Sequence, residues 1–176
     1  MSSRILEAMK NKNVKHGVGN INNWSQALIN LGAIVTGGAI DNFEIVELDW
    51  NEEGERICKK LSDTTKKGYL ICSVEDYLEE FGEDISDFFN SVGEKARIGI
   101  QETGRRFEVS NFKVDDESKE IKNGQKVHYD ATEGVYIVSN NTTDNSNYAT
   151  AGNKYHVVDA DAGVLGGQQL IRLEID

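Results

Sequence analysis

The sequence contains no proline in its 176 residues, whereas average usage would give about nine. Seventeen glycines are present instead, so glycine and asparagine must form most of the turns. Such turns leave the unfolded chain flexible and supply little rigidity of their own. We therefore expect the folded chain to gain its rigidity from packing or from a partner.

Cysteine and histidine are scarce. The two cysteines, Cys58 and Cys72, lie fourteen positions apart, with no CxxC pair and no accompanying histidine. This spacing predicts buried, reduced thiols and not a metal site. The three histidines, His16, His128 and His156, fall in unrelated segments.

One arrangement of histidines and carboxylates leaves an alternative open. His128 with Asp130, and His156 with Asp159 and Asp161, would converge on a metal ion if their strands were neighbours. Solvent exposure explains the alternation of His128 and Asp130 equally well, so solvated side chains are the preferred interpretation.

Motifs that carry chemistry are missing. Asp49, Asn51, Glu53 and Gly54 imitate the start of a calcium-binding loop, but Lys60 stands where that loop needs a bidentate carboxylate. No nucleophile elbow, Walker loop or dinucleotide fingerprint occurs. The sequence therefore predicts no catalytic, cofactor-binding or metal-binding residue, no cofactor, and no enzymatic activity.

Basic charge and long apolar runs are missing too. Nineteen basic side chains stand against thirty acidic ones, leaving a formal net charge of -11. An acidic chain repels phosphate backbones, so nucleic acid is not expected as a partner. No window approaches the run of about eighteen apolar residues that spans a bilayer, and the first residues lack a secretory signal. We expect a chain made in a cytoplasm, with no membrane partner.

The clearest local pattern lies in residues 67–112. Residues 68–72 read as a strand, and Ser73 is followed by acidic residues, which is typical of the start of a helix. Apolar residues then recur at three- and four-residue steps, which predicts one principal amphipathic helix up to Phe89. Residues 96–101 and 105–112 flank Thr103 and Gly104, which predicts a hairpin.

Alternation and turn residues predict further strands. Residues 43–50 form a strand with Val46, Leu48 and Trp50 on one face. Residues 125–130 and 134–139 form a hairpin, and residues 154–159 and 169–175 supply the last two strands around the loop DADAGVLGG. Residues 140–152 form a polar loop long enough to act as an interaction site, in which Tyr148 is the best exposed aromatic candidate.

Together these elements predict an α+β fold, mostly antiparallel β-sheet and hairpins, with one principal amphipathic helix and an N-terminal arm. The arm comprises residues 1–20, and residues 21–176 form a single α+β domain, with 113–122 as a potential subdivision before a β-rich C-terminal part. The predicted core is Val46, Leu48, Leu70, Ile71, Tyr77, Leu78, Phe81, Ile85, Phe88, Phe89, Ile98, Ile100, Phe107, Val109, Val127, Ile137, Val157, Leu170, Ile171 and Leu173.

The segments GYLICSVEDYLEEF, ISDFFNSVGEKARIGI, GRRFEVSNF, KNGQKVHYDATEGVYIVSN, AGNKYHVVDAD and IRLEI resemble small structural proteins of tailed bacteriophages that infect low-GC Gram-positive bacteria. These proteins are encoded beside the major capsid protein. The resemblance implies a virion structural protein, a decoration or auxiliary protein that binds the outside of the major capsid protein lattice as a trimer or as monomers. It implies a location on the capsid exterior, after assembly in the host cytoplasm.

The residues agree with that implication in three respects. The chain is short for a capsid shell protein, its acidic surface suits the outside of a DNA-filled shell, and the arm is a segment that would order on a lattice or neighbouring subunit. Two other functions stay open. One is a neck or tail component of the virion, and the other is a glycan- or host-surface-binding module, which would need exposed aromatic residues in loops.

Overall fold

The computed structural model of the chain describes residues 17, 19–20, 28–75, 88–140, 146–165 and 167–176. The strands and the helix in these residues are β1 (Gly19–Asn20), β2 (Ala33–Val35), β3 (Ile45–Trp50), β4 (Arg56–Lys60), β5 (Tyr69–Ile71), β6 (Lys95–Ala96), β7 (Ile98–Gly99), β8 (Arg106–Val109), β9 (Phe112–Val114), β10 (Lys126–Asp130), β11 (Val135–Val138), α1 (Ser146–Thr150), β12 (Lys154–Leu165) and β13 (Gln168–Ile175).

The strands form two sheets. The first has seven strands in the order β1-β8-β13-β12-β10-β11-β9, and the second has six in the order β6-β2-β4-β3-β5-β7. Both sheets are mixed, because β9 runs parallel to β11 in the first and β2 runs parallel to β4 in the second. Most neighbours in each sheet are distant in the sequence, so the topology depends on long-range pairing.

The main core lies between the two sheets. It combines Ile45 and Leu70 of the six-stranded sheet with residues of the seven-stranded sheet such as Phe107 and Leu173. Three buried tyrosines belong to it, and the Tyr136 ring meets the Tyr129 and Tyr155 rings edge to face at centroid distances of 5.1 and 5.4 Å. The Tyr136 hydroxyl donates to the Phe43 carbonyl at 2.8 Å, which joins the sheets by a hydrogen bond inside the core.

A second, smaller core covers the other face of the six-stranded sheet. Val46, Cys58, Ile71 and Ile98 are fully buried in it, and Leu48 packs against its edge. Val46 and Leu48 therefore share a face, as the alternation of β3 predicts. Trp50 ends the same strand but is exposed.

The predicted fold class is wrong. Nearly all of the regular secondary structure in the described residues is β-strand, arranged in two mixed sheets, and the short helix α1 is the one helix among them. The described residues therefore do not form an α+β fold with a principal amphipathic helix. No helix in the part of the chain that the structure describes is long and apolar enough to cross a membrane.

The ends of the predicted principal helix explain the error. Ser73 is not helical: its hydroxyl accepts the Arg97 amide at 3.0 Å and its own amide donates to Asn42 at 2.9 Å. Phe88 and Phe89 are buried but not helical, and they lead into a β-bridge between Asn90 and Ile40. Residues 76–87 lie outside the described residues.

The predicted hairpin around Thr103 and Gly104 is also wrong. β7 pairs with β5 in the six-stranded sheet, whereas β8 pairs with β13 and β1 in the seven-stranded sheet. The connection crosses from one sheet to the other, and the Gly104 amide donates to the Ile175 carbonyl at 2.9 Å. Thr103 and Gly104 do form a turn, but the strands on either side of it pair with strands that are distant in the sequence and not with each other. A local turn pattern does not distinguish these two cases.

Three other strand predictions are confirmed. β3 lies within predicted residues 43–50, β10 and β11 form the predicted hairpin, and β12 and β13 are the last two strands, paired antiparallel. The sequence DADAGVLGG is not a loop as predicted. β12 continues through it to Leu165, with register shifts between Val157 and Asp159 and between Asp159 and Gly163 that interrupt its pairing with β13.

Most predicted core residues are buried. The thirteen that the structure buries are Val46, Leu70, Ile71, Phe88, Phe89, Ile98, Phe107, Val109, Val127, Val157, Leu170, Ile171 and Leu173. Leu48 and Ile137 are only partly buried, and Ile100 is exposed. Tyr77, Leu78, Phe81 and Ile85 lie outside the described residues, as does most of the predicted arm at 1–20. Gly19 and Asn20 form β1.

Candidate functional site

The candidate site begins at the hairpin of β3 and β4. The Asn51 amide donates to the Glu55 carbonyl at 3.0 Å and the Gly54 amide to the Asn51 carbonyl at 3.1 Å. The Asn51 side chain accepts the Glu55 amide at 2.7 Å. Gly54 has φ 77°, which glycine adopts at little cost. This closed turn sets Trp50 opposite Arg56 in the strand register.

Trp50 and Arg56 form a stacked pair. The Arg56 guanidinium carbon lies 4.9 Å from the centroid of the Trp50 ring, within the range of a cation–π contact. Arg56 Nη1 also donates to the Asn30 carbonyl at 3.3 Å. The guanidinium is therefore held from two sides, while the Trp50 side chain remains 61% exposed.

The loop before β2 forms the opposite side of the site. The Ile29 amide donates to the Ile98 carbonyl at 2.9 Å and the Gly32 amide to the Ile29 carbonyl at 3.2 Å. A Cβ on Gly32 would lie 2.0 Å from the Ala96 carbonyl oxygen, so the loop is pressed against β6. Leu31, the residue before Gly32, has φ 65° and is 79% exposed.

These residues enclose a groove of about 480 Å³, which we call the Trp50 groove. Leu31, Ile34, Trp50, Glu55, Arg56 and Lys95 are among its lining residues. An exposed indole, an exposed leucine and two cations suit the binding of a partner surface, because large aromatic side chains and arginine dominate such contacts. The described residues that line the groove include no serine, threonine, cysteine or histidine.

A second cavity, of about 430 Å³, is lined by residues that include Ser73, Phe88 and Arg97. Its lining includes Glu75 and Phe88, the described residues on either side of 76–87 in the sequence, and residues 76–87 themselves lie outside the described part. No role is assigned to it.

The histidine and carboxylate sets considered in the sequence do not converge. His128 and His156 lie on the neighbouring strands β10 and β12, but His128 pairs with Lys154 and His156 pairs with Lys126. His128 is 1% exposed, and neither ring nitrogen has a hydrogen-bond partner among the described residues. Burial lowers the pKa of His128, although the negative charges of Asp130 and Asp115 act in the opposite direction and raise it.

His156 has different neighbours. Its Nδ1 lies 2.6 Å from Asp176 Oδ1 and its Nε2 lies 3.5 Å from Glu174 Oε1, whereas Asp159 lies 3.8 Å from Arg172. In the residues that the structure describes, no three His, Cys, Asp or Glu side chains are grouped so that they could hold a metal ion.

Cys58 and Cys72 are both buried and free. Burial raises the pKa of each thiol to about 11. A thiol with such a pKa holds little thiolate near neutral pH, and the thiolate is the form that attacks substrates or binds metals. Both side chains act as small apolar groups, Cys72 in the main core and Cys58 in the smaller one.

Tyr148 is not a free aromatic platform. Its hydroxyl donates to Asp176 at 2.6 Å, and the Lys126 and Lys154 amines lie 5.1 and 5.3 Å from its ring centroid. Trp50 is the exposed aromatic residue that the sequence analysis missed. The alternation of the strand placed it on the same face as Val46 and Leu48, and only the turn residues Asn51 to Gly54 indicated that the strand ends there.

Comparison with known proteins gives two matches. A family model described as YonC prophage protein matches residues 12–176. A protein of Bacillus subtilis (strain 168), described as an SPbeta prophage-derived uncharacterized protein, is 41% identical over 178 residues, which cover 99% of this chain and 98% of the relative. No solved structure matches the chain.

Proposed function

Since the chain belongs to the YonC prophage protein family, we propose that it is a structural protein of the phage virion that binds the outer surface of the head as an auxiliary, or decoration, protein. Its partner is then the major capsid protein lattice, and its location is the capsid exterior. The family supports only the phage origin, and the adhesive role rests on the surface of the fold.

The observation that carries the proposal is the Trp50 groove. Trp50 and Leu31 are 61% and 79% exposed, although water disfavours both side chains. Each is held by a closed turn or a tight loop, so binding a partner would cost little loss of conformational freedom. A rigid surface with apolar anchors fits a protein that adheres to a repeated scaffold, where many weak contacts add up through geometry.

We also propose that the protein is not an enzyme. In the described part of the chain, the cysteines and histidines are either buried or paired. The cysteine thiols have raised pKa values, His128 is buried, and His156 lies within hydrogen-bond distance of Asp176.

The experiment is co-sedimentation with phage particles. Heads are purified from an induced lysogen that lacks the gene for this chain, separated from tails, and mixed with the purified chain. We expect the wild-type chain to sediment with heads and not with tails. We expect Trp50→Ser to bind at least tenfold more weakly, because a central aromatic anchor commonly contributes this much or more.

Val164→Ser is the matched control, because Val164 is a 71% exposed apolar residue outside the groove. Its binding should equal that of the wild type, and circular dichroism of both variants should be unchanged. Binding to tails and not to heads would support the neck or tail alternative. Equal binding of Trp50→Ser and the wild type would contradict the role of the groove.

A further inference from the structure

The charge of the Trp50 groove differs from that of the whole chain. The chain has a formal net charge of -11, yet the groove is lined by the cations Arg56 and Lys95 and by the carboxylate Glu55. Within the described residues neither cation forms an ion pair, whereas lysines elsewhere, such as Lys59 and Lys60, pair with glutamates at 3.0 Å. The groove is a local cationic site on an acidic protein.

Arg56 is positioned to accept a carboxylate. A guanidinium has five N–H donors in a rigid fork that matches the two oxygens of a carboxylate. One donor bonds to the Asn30 carbonyl, and the others have no partner in the described part of the chain. Because the Trp50 ring and Asn30 already hold the guanidinium, little side-chain freedom remains to be lost when it binds.

The apolar residues of the groove specify what must accompany the carboxylate. Leu31 has φ 65°, in the left-handed region. This backbone conformation is unfavourable for leucine, so contacts of the surrounding structure must stabilise it. The Leu31 side chain is 79% exposed and lines the groove. A partner that binds here must therefore cover an aliphatic and an aromatic side chain as well as two cations.

We propose that the Trp50 groove binds a segment of a partner protein in which an Asp or Glu lies next to a large apolar side chain. Arg56 pairs with the carboxylate, Lys95 adds a second positive charge, and Trp50 and Leu31 cover the apolar side chain. This inference rests on the proposed function for the identity of the partner, but not for the chemistry of the groove. An exposed leucine offers no hydrogen bond to a sugar, so the groove favours a peptide over a glycan.

The test is a titration of the ¹⁵N-labelled chain followed by NMR. The main probe is the peptide acetyl-Ser-Asp-Leu-Glu-Phe-Gly-amide, and its isostere acetyl-Ser-Asn-Leu-Gln-Phe-Gly-amide removes only the charges. We expect the acidic peptide to shift the Trp50 indole signal and the Leu31 and Arg56 amide signals. The isostere should bind at least fivefold more weakly, because it cannot form the charge-assisted pair.

Variants then separate the two cations. Arg56→Gln should weaken binding of the acidic peptide at least fivefold, and Arg56→Lys should lie between Arg56→Gln and the wild type, because it keeps the charge without the fork. Lys95→Gln should weaken binding less. Lys122→Gln is its matched control, since Lys122 is also exposed and has no ion pair among the described residues, and it should bind as the wild type does.

Several results would overturn the inference. They are equal binding of the acidic peptide and its isostere, no binding of either peptide, and shifts of the same signals by maltotetraose or a hexagalacturonate in the absence of peptide binding. The outcome is separate from that of the particle experiment. Peptide binding without head binding would refute the proposed function alone, and head binding that is insensitive to Arg56→Gln would refute this inference alone.

Discussion

Glu44 is a carboxyl group buried near the interface of the two sheets, with 8% of its side chain exposed. Its Oε1 lies 3.0 Å from the Lys60 amine, and its Oε2 has no partner in the described residues. Burial raises its pKa from 4.5 to about 7, because the loss of hydration outweighs the attraction of Lys60, and the nearby Asp41 carboxylate adds to the rise.

This pKa predicts how stability depends on pH. The folded chain holds the proton up to about pH 7, whereas the unfolded chain loses it near 4.5. The folded state therefore binds more protons in that window, and the free energy of unfolding falls as the pH rises through it. We expect Glu44→Gln to be more stable than the wild type by about 3 kcal/mol at pH 8.5, with the difference shrinking as the pH falls toward 4.5, in urea unfolding experiments.

Glu47→Gln is the control with the opposite sign. Slight desolvation raises the pKa of Glu47, but the hydrogen bond and charge of Lys59, together with the charge of Lys66, outweigh it and lower the pKa overall. The neutral variant should therefore be less stable than the wild type above pH 4.5. A Glu44→Gln variant that is destabilised at pH 8.5 would show that the Lys60 ion pair outweighs the burial of the charge.

Single residues also show what a sequence pattern can predict and what it cannot. The alternation of Val46 and Leu48 correctly placed them on one face, because side chains alternate along any strand. The same rule could not reveal that Trp50, two residues further along the strand, lies beyond the core and is exposed to solvent. The buried tyrosines Tyr129, Tyr136 and Tyr155 were missed because a hydroxyl tolerates either solvent or a buried partner.

At the scale of elements, the two sheets are joined at a junction. It is formed by the segment that precedes β5 and the segment that precedes β12. Asn153 accepts the Gly68 amide at 2.9 Å and donates to the Lys66 carbonyl at 2.8 Å. The Gly152 amide donates to the Thr64 carbonyl at 2.8 Å. A Cβ on Gly152 would lie 2.2 Å from the Lys66 carbonyl carbon and oxygen, so two backbones touch here.

This close approach predicts a large effect of a small substitution. Gly152→Ala should destabilise the chain by about 3 kcal/mol, because a methyl group forced against fixed backbone requires the junction to open. Gly104→Ala is the matched control. Gly104 has φ 83° but nothing within 4 Å of its Cβ position, so the cost is limited to backbone strain of about 1 kcal/mol.

Urea unfolding of both variants measures the difference. Equal destabilisation of the two would show that the junction relaxes freely. The comparison also isolates packing between the sheets from the intrinsic preference of glycine, because both substitutions add the same methyl group.

Elements were predictable where their partners are close in the sequence. The β10–β11 hairpin needed only a short turn and two alternating segments, and it was predicted with nearly correct limits. The strands in residues 96–112 pair with β5, β13 and β1, and no local pattern identifies these distant partners. The Trp50 groove is unpredictable for the same reason, because it combines β6, the loop before β2 and the β3–β4 turn.

At the scale of the whole molecule, the order of the strands determines how the chain must fold. The seven-stranded sheet places β1 beside β8 and β13 beside both β8 and β12. Long-range pairs of this kind require closure of long loops before they are stabilised, so β-rich domains fold on a timescale of about milliseconds to seconds. The chain has no proline, and isomerisation of X–Pro bonds is the common cause of slower refolding phases.

We therefore predict refolding without a phase of tens of seconds. In a double-jump experiment, the chain is unfolded in urea for either one second or ten minutes and then refolded by dilution, with fluorescence as the signal. The refolding amplitudes and rates should be independent of the unfolding time, because no population of cis bonds builds up in the unfolded chain. A prolyl isomerase should have no effect.

A single engineered proline makes the prediction sharper. Glu52 is the second residue of the turn between β3 and β4, a position that accepts proline, so Glu52→Pro should fold to the same structure. Its unfolded chain should accumulate about 10–30% cis bond, and a slow phase of that amplitude should appear only after long unfolding and be accelerated by the isomerase. A slow phase in the wild-type chain that depends on the unfolding time would contradict this prediction. It would mean that a slow conformational change within the unfolded chain limits the rate at which the sheets form.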